Sequence, residues 1–274
     1  MIAKLDADWK NKNSPSLQGG IMKRRFILFL WAVIGLWSVN PTELRAQQPS
    51  LHVLLDVTNA PDSGEYALKT NALLLEWYPR INALLYDPNH PLPYAEIRAV
   101  FEPVLAVKQA PALARGNEIH INSEYIKHMP DDFRAMVIHE LTHVVQHYQF
   151  MRPDMGWVVE GIADYIRHKY YEKDIEQTLH LDVRGFLVGY GPSAPYFNGL
   201  QQSGVNLTDQ GYLKSYTVAS TFLYWLETHK DMQIVQHLNG EISQGRYSPD
   251  LFYRFCGKSL DDLWAEFIKQ SKVH

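Results

Sequence analysis

Two histidines and a glutamate in the string HELTH have the spacing of a metal-binding helix. His139 and His143 are four residues apart, so on a helix both rings lie on one face, separated by about 6 Å of axial rise. Both imidazoles can then reach one Zn²⁺, and Glu140 beside them can take a proton from a water on that ion. The pattern predicts a zinc hydrolase. Its plain alternative is a helix that carries two surface histidines.

The third ligand predicted for this zinc is an acidic residue of the segment WVVEGIADY. Glu160 follows His143 by seventeen residues, and Asp164 lies one helical turn after Glu160, so the two carboxylates share a face. The longer Glu160 is expected to bind the metal, with Asp164 orienting a histidine through its distal N–H. Asp164 as the ligand is the alternative. Gly161 is expected to let this helix pack closely against the HELTH helix.

Two further residues near the motif, His147 and Gln149, are argued out of the metal site. His147 stands eight residues after His139, an axial offset of about 12 Å, which is too far for both to hold one ion. Gln149 occupies the position at which the metzincin pattern has its third ligand, and Gln146 occupies the position of that pattern's glycine. The metzincin pattern is therefore absent.

An oxyanion that forms during attack on an amide needs a hydrogen-bond donor besides the metal. Tyr216 is the predicted donor because it follows a long glycine-rich segment, Gly185 to Gly211, and Tyr165 is a second candidate. The alternative for either tyrosine is a place in the core. The segment GNEIHIN, residues 116–122, is predicted to be an edge strand that pairs with an extended peptide substrate.

The first 46 residues are predicted to be a leader with a secretory signal peptide. Lys23, Arg24 and Arg25 precede the apolar run from Phe26 to Trp37, and cleavage is expected after Ala46. Twelve apolar residues are too few to span a bilayer. We therefore expect a secreted or periplasmic protein with no membrane span after cleavage, in which residues 47–274 form a single domain.

Composition narrows the function further. Hydrophobic residues make up 46% and charged residues 20% of the chain, as in an ordinary globular protein. Without the leader's seven basic and three acidic residues, the totals of 26 and 30 fall to 19 and 27, a formal charge of −8. No basic surplus exists for nucleic acid, so the expected partner is a peptide or protein substrate. A single cysteine, Cys256, excludes a zinc site with several thiolates.

The order of elements predicts an α+β fold. LHVLLDV and Glu118–Ile121 are expected strands, AEIRAVFEPVLAV is expected to hold one or two more, and Gly64–Tyr86 has helical spacing. Later segments are mainly helical: WVVEGIADYIRHKYY, SYTVASTFLYWLETHK, DMQIVQHLNGEI and SLDDLWAEFIKQSK, the last with Ser259 as N-cap. Strands come first and helices dominate afterwards.

Five segments together resemble the plant basic secretory proteins and their bacterial relatives, the peptidase family of plants and bacteria. They are NEIHINSEYI, HELTHVVQHY, WVVEGIADYIRHKY, SYTVASTFLYWLE and GKSLDDLWAEF. The resemblance implies a zincin-like, gluzincin-type metallopeptidase fold, with His139, His143 and Glu140 at the zinc and base positions. It also brings Glu160 and Asp164 into the match. The chain departs from the family at Thr221, where an arginine is typical, and in its acidic charge.

The leading hypothesis is a secreted zinc endopeptidase. One rival is a zincin-fold protein that binds a partner without turnover, and another is a zinc amidase that acts on cell-wall peptides. The presence of Glu140 argues for an enzyme, because a binding module has no use for a base beside two metal ligands.

Overall fold

The computed structural model describes residues 51–105, 107, 110–179 and 210–270. In these residues four strands form one mixed sheet in the order β1-β2-β4-β3. The strands are β1 (His52–Asp56), β2 (Glu96–Glu102), β3 (Ala112–Arg115) and β4 (Glu118–Asn122). β1 and β4 each pair with β2 in parallel, and β3 pairs with β4 in antiparallel. The long helix α1 (Gly64–Leu85) connects β1 to β2.

One face of the sheet forms the floor of the hydrophobic core. Ile97, Ala99 and Phe101 alternate along β2 and are fully buried, as alternation in a half-covered sheet requires. The segment AEIRAVFEPVLAV gives one strand of the one or two expected, since β2 ends at Glu102, directly before Pro103. Proline has no N–H for the sheet ladder.

The prediction that GNEIHIN forms an edge strand is wrong. β4 lies between β2 and β3, with Ala112 opposite Ile121 in the β3 pairing. Ile119 and Ile121 are fully buried, as expected of a central strand. The edge strand beside β4 is β3, a four-residue strand with the sequence ALAR. That sequence is too short and too rich in alanine to give a period-two signal.

Helices make up most of the remaining described chain, and the predicted α+β class is confirmed. They are α2 (Ser123–His128), α3 (Phe133–Gln146), α4 (Gly156–Ile166), α5 (Ile175–Thr178), α6 (Tyr216–His229), α7 (Ile234–Ser243), α8 (Asp250–Cys256) and α9 (Leu260–Gln270). A π-helical segment, Arg167–Glu172, continues α4. The predicted N-cap of α9 is confirmed, since Ser259 Oγ accepts the Asp262 N–H at 3.2 Å.

The helix α3 is buried on almost all sides. It packs against α1, α4 and β3, and its apolar residues Met136, Val137, Ile138, Leu141 and Val144 are at most 3% exposed. A helix that is apolar around most of its circumference belongs in a core. The buried polar side chains on such a helix need hydrogen-bond partners within the protein.

The close partner of Gly161 in α4 is α6, and the expectation that it contacts the HELTH helix is wrong. A Cβ at residue 161 would lie 3.0 Å from Ala219 Cβ and 3.2 Å from Leu223 Cδ1, both on α6. The helical spacing of the sequence shows which side of α4 Gly161 lies on, but it does not show which helix packs against that side.

Two predictions fall on residues outside the described ranges: the leader with its apolar run at 26–37, and most of the irregular segment at 185–211. Among the residues that the structure describes, no helix combines the length and the apolar character needed to cross a lipid bilayer.

Candidate metal centre

Three side chains from α3 and α4 bring their donor atoms to one point. His139 Nε2 lies 3.1 Å from His143 Nε2 and 3.1 Å from Glu160 Oε2, and His143 Nε2 lies 3.4 Å from the same oxygen. Ligand atoms bound at about 2.0–2.1 Å to a tetrahedral ion are separated by about 3.3 Å. The three donor atoms therefore have the separations of three corners of one metal tetrahedron.

The far side of each histidine ring is held by a hydrogen bond. His139 Nδ1 donates to Asp164 Oδ1 at 2.8 Å, and His143 Nδ1 donates to Gln146 Oε1 at 2.7 Å. A carboxylate can only accept, so the proton of the neutral His139 ring lies on Nδ1. The Nε2 lone pairs of both rings consequently point at Glu160. Three acceptors that face one another require a proton or a metal cation between them.

The carboxylates give this site a strong affinity for positive charge. Burial opposes protonation of His139, but Asp164 and Glu160 outweigh it and raise the His139 pKa well above its ordinary value. The pKa of His143 is also raised, because Glu160 outweighs burial. Burial disfavours the ionised form of Asp164, yet its hydrogen bond to His139 lowers its pKa to about 2. Protons and a metal ion therefore compete for the same histidine nitrogens.

Glu140 lies beside the three donor atoms and is almost fully buried, at 8% exposure. Burial raises its pKa above the ordinary value, although His139 and His143 oppose the shift. The backbone N–H of Ala114 on β3 favours the ionised form of this carboxylate, a smaller effect in the opposite direction. A buried carboxylate with a raised pKa is suited to accept and return a proton near neutral pH.

Tyr216 lies next to the site, at the first residue of α6. Its ring is 6.0 Å from the His139 ring, with an angle of 18° between the planes, and it is 47% exposed. Ser215 caps this helix by accepting the Val218 N–H at 3.4 Å. Burial of the hydroxyl, together with the charges of Glu160 and Asp164, raises the Tyr216 pKa. The hydroxyl therefore keeps its proton and can act as a hydrogen-bond donor.

Tyr165, the second tyrosine candidate, does not belong to the site. Its ring is 1% exposed, and its hydroxyl donates to Glu227 at 2.6 Å while accepting from Lys169 at 2.7 Å. These contacts tie α4 to α6 inside the core. The core alternative is thus the correct one for Tyr165.

His147 is engaged away from the three donor atoms. Its Nδ1 lies 2.6 Å from the Tyr94 hydroxyl and its Nε2 lies 2.7 Å from Gln149 Nε2. It ends α3 in the left-handed conformation, with φ of 41°. Both residues that the spacing argued out of the metal site thus lie together at the exposed end of the helix.

The model of a protein family described as "Peptidase of plants and bacteria" matches residues 54–180 and 193–267. The chain belongs to this family. The matched ranges contain the residues discussed above, from Ala114 to Tyr216. A comparison with curated proteins found no match, and a comparison with solved structures found none either. The predicted resemblance to basic secretory proteins is confirmed, and the family's description names peptidases.

Within this peptidase-family chain, α3 and α4 bring together four of the predicted site residues: the ligand candidates His139, His143 and Glu160, and their partner Asp164. Sequence reasoning missed two contributors, Gln146 and Ala114. Gln146 lies three residues after His143 on the same helix, and this spacing was an available signal. Ala114 contributes through its backbone, which no side-chain pattern reveals.

A second group of potential ligands, His168, Glu172 and Asp174, lies in and after the π-helical segment. His168 Nδ1 is 2.9 Å from Asp174 Oδ1 and 3.2 Å from Glu172 Oε2. The partly buried guanidinium of Arg167 already donates to Glu172 at 2.8 Å and to Asp132 at 3.0 Å. This group is an ion-pair network, because its positive charge comes from arginine.

Proposed function

We propose that this chain is a zinc-dependent peptidase with a zincin-like fold, in which His139, His143 and Glu160 hold the metal. The observation that carries the proposal is the set of separations of 3.1, 3.1 and 3.4 Å among their donor atoms. Two imidazole nitrogens and one carboxylate oxygen form a donor set that zinc hydrolases use, with one position left for water. When bound, zinc supplies Lewis acidity that activates a water molecule and polarises the substrate carbonyl.

Glu140 serves as the general base in this proposal. Its carboxylate accepts the proton of the attacking water and then transfers it to the leaving nitrogen of the peptide bond. Burial raises the pKa of Glu140, which brings the group closer to the pH at which it must both take and release a proton.

Tyr216 stabilises the transition state. Its protonated hydroxyl, beside the metal ligand His139, donates a hydrogen bond to the oxygen on which negative charge develops. An extended substrate is expected along β3, which is the sheet edge on the side of Glu140.

The N-terminal residues complete the proposal. Residues 1–46 act as a leader with a signal peptide, residues 47–274 are the mature single domain, and the protein works outside the cytoplasm. The charged residues at 23–25 before the apolar run at 26–37 support this export. N-terminal sequencing of the exported protein tests it, since a chain that still begins before residue 38 would exclude cleavage after Ala46.

Metal analysis combined with hydrolysis assays tests the enzyme. Protein of residues 47–274 and its Glu140→Gln variant are compared for zinc content and for cleavage of casein and of peptidoglycan peptides. We expect stoichiometric zinc in both and a rate lower by about 10²- to 10⁴-fold in the variant. Absence of zinc, or equal rates, refutes the proposal. Cleavage of peptidoglycan peptides alone would identify a cell-wall amidase, and zinc without turnover would identify a binding protein.

A further inference from the structure

Gln146 lies between two of the candidate metal ligands. It is the last residue of α3, only 2% exposed, one turn after His143. Its Oε1 accepts from His143 Nδ1 at 2.7 Å, and its Nε2 donates to the carbonyl of Val159 at 3.1 Å. Val159 is the residue directly before Glu160. One amide side chain therefore contacts the ring of one ligand and the peptide unit that carries another.

The two hydrogen bonds fix the orientation of the amide. Because the NH₂ group faces a carbonyl, which can only accept, the oxygen must face His143. His143 then carries its proton on Nδ1 and presents a lone pair on Nε2. The main chain of Gln146 is also held, since its carbonyl accepts from the Tyr86 hydroxyl at 3.2 Å.

We propose that Gln146 is the positioning residue for His143, and that through Val159 it sets the spacing between the ligands of α3 and α4. This inference rests on the proposed zinc site and adds to it a residue that does not touch the metal. Gln146 does for His143 what Asp164 does for His139, with one difference. The amide orients its ring without adding a further negative charge to a site that already holds the carboxylates of Glu160 and Asp164.

Zinc affinity tests this role without relying on activity. The Gln146→Met variant keeps the length and volume of the side chain and loses both hydrogen bonds. The Gln146→Glu variant keeps an oxygen acceptor for His143. Gln236→Met is the matched control, since Gln236 is a partly buried glutamine on α7 that donates to the carbonyl of Leu84 at 3.1 Å, away from the site. Affinities are measured by competition with a chromophoric chelator, and circular dichroism verifies that each metal-free protein is folded.

We expect Gln146→Met to bind zinc about 10- to 100-fold more weakly than the unsubstituted protein. Gln146→Glu is expected to recover at least part of that loss, and Gln236→Met to bind normally. The visible spectrum of cobalt-substituted Gln146→Met should also change, because a free His143 ring alters the ligand geometry.

Two results would overturn the inference: normal zinc affinity and an unchanged cobalt spectrum in Gln146→Met, or an equal loss in Gln146→Met and Gln146→Glu. If Gln146→Met does not fold, Gln146→Glu decides alone: a positioning acceptor predicts a zinc affinity within about 10-fold of that of the unsubstituted protein, and a larger loss overturns the inference. Failure of the unsubstituted protein to bind zinc would refute the proposed function itself, which is a different outcome.

Discussion

Two groups of histidine and carboxylate side chains invite comparison: one is shared by α3 and α4, and the other lies in and after the π-helical segment that continues α4. Only the first is proposed to hold a metal. His139, His143 and Glu160 converge, and within the described residues no ion pair joins Glu160 to an arginine or lysine. In the group His168, Glu172 and Asp174, the acidic side chains are equally close, but Arg167 supplies a cation. Close donor atoms therefore do not define a metal site. In the part of the chain that the structure describes, the first group differs in that no arginine or lysine pairs with Glu160, which makes it the better candidate for an added cation.

The comparison is tested most directly by removing one histidine from each group. His143→Ala should lose zinc affinity by more than about 10²-fold, because removing a mere partner of a ligand already costs about 10- to 100-fold. His168→Ala should retain stoichiometric zinc. Inductively coupled plasma mass spectrometry after dialysis measures both. Zinc loss in His168→Ala alone would reverse the assignment of the two groups.

Removing the arginine tests the second group as an ion-pair network. Arg167→Met leaves Asp132, whose side chain is 2% exposed, without its cationic partner. We expect a loss of about 3–5 kcal/mol in the free energy of unfolding, since breaking a buried pair leaves an uncompensated charge. Zinc content should not change.

The control for Arg167→Met is Arg80→Met. Arg80 pairs with Glu76 on the surface of α1, with both side chains more than half exposed. Exposed pairs contribute about 0–1 kcal/mol. Denaturant unfolding of both variants gives the comparison, and an equal, small effect in the two would show that the network is not structural.

Substitution of two tyrosines tests which residues around the first group take part in catalysis. Tyr216→Phe should lower kcat by about 10²-fold, the loss expected for one oxyanion donor, with little change in stability. Tyr165→Phe should leave kcat nearly unchanged and lower the stability, because the Tyr165 hydroxyl donates a hydrogen bond to Glu227 in the core. Hydrolysis rates and thermal unfolding of the two variants separate these roles. A full rate in Tyr216→Phe would remove it from the mechanism.

The smallest predicted effect is that a bound metal reverses the pH dependence of the protein's stability. His139 and His143 have raised pKa values in the folded metal-free protein. Their contribution to stability is complete below the unfolded pKa of about 6.5 and is lost as pH rises through the folded values. The metal-free protein should therefore be more stable at pH 6 than at pH 8.

The zinc-loaded protein should show the opposite trend, because protons displace the metal at lower pH. Melting temperatures of both forms at the two pH values provide the measurement. Asp164, with a pKa lowered to about 2, adds stability that is lost only as pH falls from about 4 to 2, outside this window. Parallel trends in the two forms would mean that the histidines do not bind the metal.

Local sequence patterns predicted which residues form this site better than they predicted which elements pack against one another. The four-residue interval from His139 to His143 and the turn from Glu160 to Asp164 each lie within one helix, where spacing alone sets direction. The contact of Gly161 with α6 and the central place of β4 depend on long-range packing, which spacing does not encode. Tyr165 and Tyr216 look alike in sequence, and only the fold assigns one to the core and the other to the site.

The contact at Gly161 also has a mechanical consequence. Ala219 and Leu223 of α6 lie so close to Gly161 that they leave no room for a Cβ there, and this brings α4 and α6 close together. These two helices carry Glu160 and Tyr216.

His139 and Glu140 lie on α3, which is joined to α4 by the His139–Asp164 and Gln146–Val159 hydrogen bonds. The distance between α4 and α6 therefore affects where Tyr216 lies relative to all the other residues of the site. A side chain at residue 161 would push α6 away from α4 by a distance that depends on its volume. Its volume would set where the hydroxyl of Tyr216 stands, although residue 161 itself touches neither metal nor substrate.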